Sequence, residues 1–182
     1  MEQDESVLAQ RAATGEASAF EELVRLNRPK LLRFLVAYLG NHSDAEDLVQ
    51  DTFARAYGAL DRYDPTKSFT TWLFVIGRRL AANEKRRLAR QRVRETEAVA
   101  EEEFEQTYAE VDGGTVWAAA KRILPEAAYT SLWLHYGEDQ SVKEIAHIMD
   151  KTVTAVKVTL FRARRTLARE LDSNLVKESI SR

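Results

Sequence analysis

Helical periodicity is the feature that most limits what this chain can fold into, and it is sharpest near the C-terminus. Val156, Leu160, Ala163, Leu167 and Leu171 recur every three or four residues, so one face of a long helix is built for a core. Thr154, Lys157, Val158, Phe161, Arg162 and Arg165 fall on the other face. Similar stripes run through the rest of the chain. Alternating runs bounded by turn residues are missing, and 182 residues hold only seven Gly and three Pro. The expected class is all-α.

The segment before this helix narrows the reading. Ser141 is placed to cap a short helix over Val142 to Met149, and Asp150 sits at a turn, where Asp tolerates left-handed backbone. Thr152 is placed to cap the long helix. A short helix, a tight turn and a basic second helix form a helix-turn-helix, whose second helix enters the DNA major groove. Phe161, an aromatic on the polar face beside Arg162, suits apolar contact with a thymine methyl or the sugar wall.

Charge is segregated along the chain. From Arg78 to Arg94 there are eight Lys or Arg and one acid; from Glu95 to Gly114 there are eight acids and no Lys or Arg; from Lys143 to Glu170 bases exceed acids seven to three. The net charge of −2 hides two cationic surfaces separated by an acidic stretch. With no cysteine, disulfides and thiolate zinc sites are excluded. His42, His135 and His147 lack metal-ligand spacing, no Gly-rich phosphate loop occurs, and no nucleophile–base pair stands out, so neither a cofactor nor an enzymatic activity is expected. No apolar run approaches the roughly 20 residues of a membrane span. The acidic N-terminus lacks a signal core. The expectation is a soluble, cytoplasmic protein.

Two small helical domains joined by an acidic linker are expected, over 1–94, 95–114 and 115–182. In the first, Phe20, Leu23, Val24 and Asn27 mark one helix, and Pro29 is placed to open a second carrying Leu31, Leu32, Leu35, Tyr38 and Leu39, stopped by Gly40. Ser43 and Glu46 form a capping-box pattern ahead of a face of Ala45, Leu48, Val49, Thr52, Phe53, Ala56, Tyr57 and Leu60. A loop around Pro65 leads to a long helix from about Ser68, with Phe69, Trp72, Leu73, Ile76 and Leu80 inward. The helix formers that follow predict an extension that carries charge outward. The linker reads as a tether or as a helix packing Phe104, Tyr108 and Val111. After it, VWAAAKRIL, a Pro125-led helix ending at Gly137 and the helix-turn-helix make a four-helix unit with a fraying tail.

In this order the motifs resemble the extracytoplasmic-function sigma factors of bacterial RNA polymerase. DAEDLVQDTFARAY resembles the segment that docks on the polymerase clamp. FTTWLFVIGRRLAANEKRR is similar to the segment that meets the minus-ten element, and the stretch from Leu124 to Leu167 to the minus-thirty-five reader. The likeness runs from about Ala17 to Leu171. It implies core RNA polymerase (clamp and flap regions), promoter DNA and an anti-sigma protein as partners. Asp150 stands where the family often has Gly, Arg79 where Asn is frequent, and Val158 where a small polar residue is common.

The residues also suggest roles directly. Asp47, Gln50, Asp51 and Arg55 are neighbours on one helix face, with Asp44 at the N-terminus where the helix dipole favours an acid; the resemblance makes this ridge the polymerase-binding surface. Arg78, Arg79, Lys85, Arg86 and Arg87 form a strip able to neutralise phosphates. Base contact falls to Asn83 and to the loop from Tyr63 through Lys67 to Ser68, with Tyr63 as the stacking candidate and Trp72 and Phe69 as core. By resemblance that loop pockets an unstacked base. On the reader helix, Thr154, Lys157, Val158, Phe161 and Arg162 face the groove, while Lys151, Thr152, Arg164 and Arg165 lie near the backbone. A conventional helix-turn-helix regulator that never joins polymerase is the alternative; the docking and T-W-L motifs argue against it.

Overall fold

The computed structural model describes residues 2–96 and 114–180, with side-chain environments for 5–91 and 116–170. The described residues form eight α-helices and no strand, in two compact units. No helix among them is long and apolar enough to cross a membrane. The linker, with Phe104, Tyr108 and Val111, lies almost wholly outside the described residues.

Unit 1 contains α1 (Glu2–Ala13), α2 (Ala17–Leu39), α3 (His42–Tyr57), a 3-10 turn (Leu60–Arg62) and α4 (Phe69–Thr96). Helices α2, α3 and α4 pack on one another, and α1 lies against α2 and α4. Leu23, Leu31, Phe34, Leu35, Val49, Phe69, Leu73 and Phe74 are fully buried. Burying one such side chain contributes about 1.5–3 kcal/mol, and Phe34 stacks on Phe74 at 5.0 Å between ring centres. Gly77 lets α4 approach α2 closely: a Cβ there would lie 3.0 Å from Leu31 Cδ1.

Three expectations for unit 1 are corrected. Pro29 does not open a helix; it sits inside the continuous α2. Nearby, the buried Asn27 side chain donates to the Leu23 carbonyl at 3.1 Å. The cap of α3 is Asn41, not Ser43: its Oδ1 accepts from the amides of Ser43 (2.9 Å) and Asp44 (3.3 Å). Because Gly40 ends α2 in left-handed backbone (φ 83°), the chain re-enters helix sooner than the Ser43 pattern suggests. Tyr57, assigned to the inward face of α3, is 52% exposed and sits edge-on to Phe20 at 4.9 Å. Helix α1 has no counterpart in the sequence reading. Its buried stripe is carried by small residues, Ala9 and Ala12, which give little periodic signal.

The projecting helix is present. Ser68 Oγ accepts the Thr71 amide at 3.2 Å at the start of α4, and beyond Ala81 no described residue of α4 is buried.

Unit 2 contains α5 (Gly114–Ile123), α6 (Glu126–Leu132), a π-helical turn (Trp133–Gly137), α7 (Val142–Met149) and α8 (Val153–Ile180). Its core gathers Leu132, Trp133, Leu134, Ile145, Ile148, Val156, Leu160 and Ala163. Trp117 meets Trp133 edge-on at 4.8 Å. The tail expected to fray instead continues α8 to Ile180.

Candidate polymerase and promoter interfaces

Helix α3 presents the expected ridge. Ala45, Leu48, Val49, Thr52, Phe53 and Ala56 are buried, so the three- and four-residue spacing forces Asp47, Gln50, Asp51 and Arg55 outward, and all four are exposed. Asp44 is half-buried in the first turn. Thr52 is satisfied internally, its hydroxyl donating to the Leu48 carbonyl at 2.6 Å. Tyr57 and Phe20 add an aromatic ledge at the far end of this helix, which inward-face periodicity concealed.

The basic strip of α4 is less open than its composition suggests. Arg79, Arg86 and Arg87 are exposed, while Arg78 and Lys85 are half-buried. Lys85 Nζ lies 4.3 Å from the centre of the Tyr38 ring, a cation–π contact. Arg87 pairs with Glu84 at 2.5 Å; that hydrogen bond and its charge hold the guanidinium pKa above its ordinary value. Arg86 donates to Asn83 Oδ1 at 2.7 Å. The expected base-reading amide is thus already engaged by Arg86, and the neighbouring Arg87 and Lys85 by Glu84 and Tyr38.

The loop leading into α4 is held by its own bonds. Asp64 Oδ1 accepts from the Thr66 amide (3.0 Å) and hydroxyl (2.7 Å), an Asx turn. Those bonds lower the Asp64 pKa, with a smaller contribution from Lys67, whose Nζ lies 3.5 Å away. The expectation that Tyr63 offers a stacking face does not hold. Tyr63 is only 8% exposed, wedged between Phe69 (5.5 Å) and Trp72 (5.3 Å), with its hydroxyl donating to the Lys67 carbonyl. Burial, then the charges of Glu5 and Asp64, push its pKa up to about 12. Trp72, read as core, is half-buried and is the ring of this trio that reaches solvent. The T-W-L spacing gave no sign of this exchange, because an aromatic one helical turn from a buried position fits either role.

In unit 2 the helix-turn-helix closes through local chemistry. Ser141 and Glu144 form a reciprocal capping box, with bonds of 3.3 Å and 2.7 Å. Asp150 adopts left-handed backbone at φ 54°, the conformation the family often assigns to Gly. Thr152 Oγ1 accepts the Ala155 amide at 3.1 Å and starts α8. With Val156, Leu160 and Ala163 buried, Lys151, Thr152, Thr154, Lys157, Val158, Phe161, Arg162 and Arg165 are all exposed. Phe161 is 59% exposed and Val158 41%. Arg164 is tied to Tyr136, Nη1 donating to the hydroxyl at 3.0 Å. No group of His, Cys, Asp or Glu among the described residues could hold a metal.

Comparison with known proteins agrees with this geometry. Residues 23–91 match the family Sigma-70 region 2, and residues 118–167 match Sigma-70, region 4. The sigma factor CnrH of Cupriavidus metallidurans is 32% identical over 189 residues, covering 95% of this chain and 97% of that one. The ECF RNA polymerase sigma-E factor of Salmonella typhimurium is 30% identical over 179 residues, covering 90% and 92%. The structure of the sigma factor RpoE from Bartonella quintana, in complex with the anti-sigma factor NepR, is similar with a TM-score of 0.69 at 26% identity, covering 84% of this chain and 96% of that chain. The chain belongs to the extracytoplasmic-function family of RNA polymerase sigma factors, proteins that direct promoter-specific transcription initiation.

Proposed function

We propose that three surfaces divide the work of initiation. The ridge of Asp44, Asp47, Gln50, Asp51 and Arg55 seats α3 on a basic coiled coil of the polymerase clamp, and unit 2 sits near the flap. Arg78, Arg79, Lys85, Arg86 and Arg87 grip phosphates of the minus-ten region, Asn83 reads a base edge, and the loop carrying Lys67 captures an unpaired base, with Trp72 as the adjoining ring. Thr154, Lys157, Val158, Phe161 and Arg162 read the minus-thirty-five element, flanked by phosphate contacts from Lys151, Thr152 and Arg165.

The observation that carries this reading is Phe161: a large aromatic left 59% exposed on a helix whose opposite face is buried. Solvation does not favour it; a groove wall does. Capturing a flipped base opposes duplex closure without nucleotide hydrolysis, since unpairing costs a few kcal/mol. The chain acts in the cytoplasm, the chemistry belongs to the polymerase, and the protein is not itself an enzyme. An anti-sigma protein is inferred as a further partner, because the Bartonella neighbour is held by one. Asp51→Lys tests the docking surface: core polymerase affinity should fall at least tenfold, about 1.4 kcal/mol, with helicity retained. Wild-type affinity in that variant refutes the assignment.

A further inference from the structure

The matched Sigma-70 region 2 begins at residue 23, which leaves α1 outside it. Yet two adjacent residues of α1 reach this region, one the middle of the loop before α4 and the other the first turn of α4 itself. Ser6 Oγ donates to the Pro65 carbonyl at 3.0 Å, across 59 residues of sequence. Glu5 is buried and holds the helix that follows the loop: its Oε2 lies 3.1 Å from the Thr70 hydroxyl, in the first turn of α4. That hydroxyl also lies 2.6 Å from Asn27 Oδ1 on α2, so its single proton is shared between them. Lys30 Nζ, 3.6 Å from Glu5 Oε1, compensates the buried charge. A carboxylate is costly to bury without such partners, and this one spends its bonds where the loop ends.

Inside the loop, the Asp64–Thr66 turn and the bond from Tyr63 to the Lys67 carbonyl fix its local shape. Local bonds leave such a turn able to pivot as a unit. The bond from Ser6 comes from a separate helix packed on α2, α4 and the 3-10 turn, so it fixes where the turn points. Shape selection of a ligand needs that orientation set in advance.

We propose that α1 is a brace for this loop, with Ser6 and Glu5 as positioning residues that hold residues 64–67 in the orientation that discriminates one unpaired base from another. The proposal rests on the reading that the loop captures a base. The test uses the full chain bound to core RNA polymerase and a fork-junction duplex whose unpaired minus-ten strand carries random bases, with the retained DNA sequenced. The wild type selects one base at an unpaired position. Ser6→Ala lowers that selection about threefold to tenfold, the scale of one hydrogen bond. Ser6→Thr, which keeps a hydroxyl, restores it, and affinity for core polymerase stays constant throughout. Undiminished selection in Ser6→Ala, with a selective wild type, overturns the brace alone. So does a parallel loss of core binding, which marks a collapsed unit 1. A wild type with no preference at any unpaired position overturns base capture itself, and the brace with it.

Discussion

The two cationic surfaces of this protein differ in how much of their charge is already used. On α8, Lys157, Arg162 and Arg165 stand exposed around Phe161. On α4, Arg87 is paired with Glu84, Arg86 with Asn83, and Lys85 rests on Tyr38. Both read alike as basic helices in sequence, but their response to DNA should differ. A phosphate gains the full counterion-release benefit from an exposed cation. From a paired one it gains that benefit less the bond it displaces. If α8 meets the upstream element and α4 the downstream one, as proposed, the first is set up to supply affinity and the second to let go and rearrange as the duplex opens.

The largest expected contrast lies across α8 itself. Leu160→Ala removes a buried side chain and should cost unit 2 about 2–5 kcal/mol of stability. Phe161→Ala, one residue on, should leave thermal stability within about 0.5 kcal/mol of wild type while weakening binding to the upstream element. Calorimetry and footprinting on both variants check this. Equal destabilisation by the two would mean that Phe161 is packed, and would remove the groove-reading face.

A middle-sized effect separates the two surfaces. Arg162→Ala should weaken upstream binding by about 1–3 kcal/mol if it meets a base edge. Arg87→Ala should cost less downstream than Arg162→Ala costs upstream, because its exposed ion pair to Glu84 is already formed. Glu84→Gln should do the reverse, strengthening downstream binding by freeing that arginine. Affinity measured against salt for the three variants sharpens the comparison; an Arg87 effect as large as that of Arg162 breaks it.

The smallest effect concerns pH. Tyr63 and Tyr129 both have pKa values raised to about 12, burial being the leading cause, whereas an unfolded chain ionises tyrosine near 10. The folded state keeps the proton longer, so this stabilisation is complete below about pH 10 and is lost as pH climbs through about 12. Tyr63→Phe should make alkaline unfolding of unit 1 less steep. At neutral pH it should cost about 0.5–1.5 kcal/mol, through the lost bond to the Lys67 carbonyl. Unit 2, which holds Tyr129, should be unaffected.

The same contrast explains what could be read in advance. The face of α8 was legible because Val156, Leu160 and Ala163 fix the helix phase, and Lys157, Val158, Phe161 and Arg162 then point outward. The ridge of α3 was legible for the same reason. Tyr63 and Trp72 were not: one buried and one half-exposed aromatic exchange roles through tertiary packing that no period encodes. The pairing of Arg87 with Glu84 was not read from the sequence, because three-residue spacing alone does not say that a cation is engaged. Helix α1 escaped because Ala9 and Ala12 bury little surface, and its anchors, Ser6 and Glu5, are polar. Pro29 misled because a proline pattern suited to a helix start is tolerated within α2.

Two separate surfaces should read one promoter from a chain docked on polymerase. Sequencing of transcript 5′ ends from a promoter library, transcribed by purified core polymerase with and without this protein, tests it most directly. New, discrete start sites should appear that depend on the protein and share two upstream sequence elements, one for each unit. Start sites that share a single element, or none that depend on the protein, would contradict it.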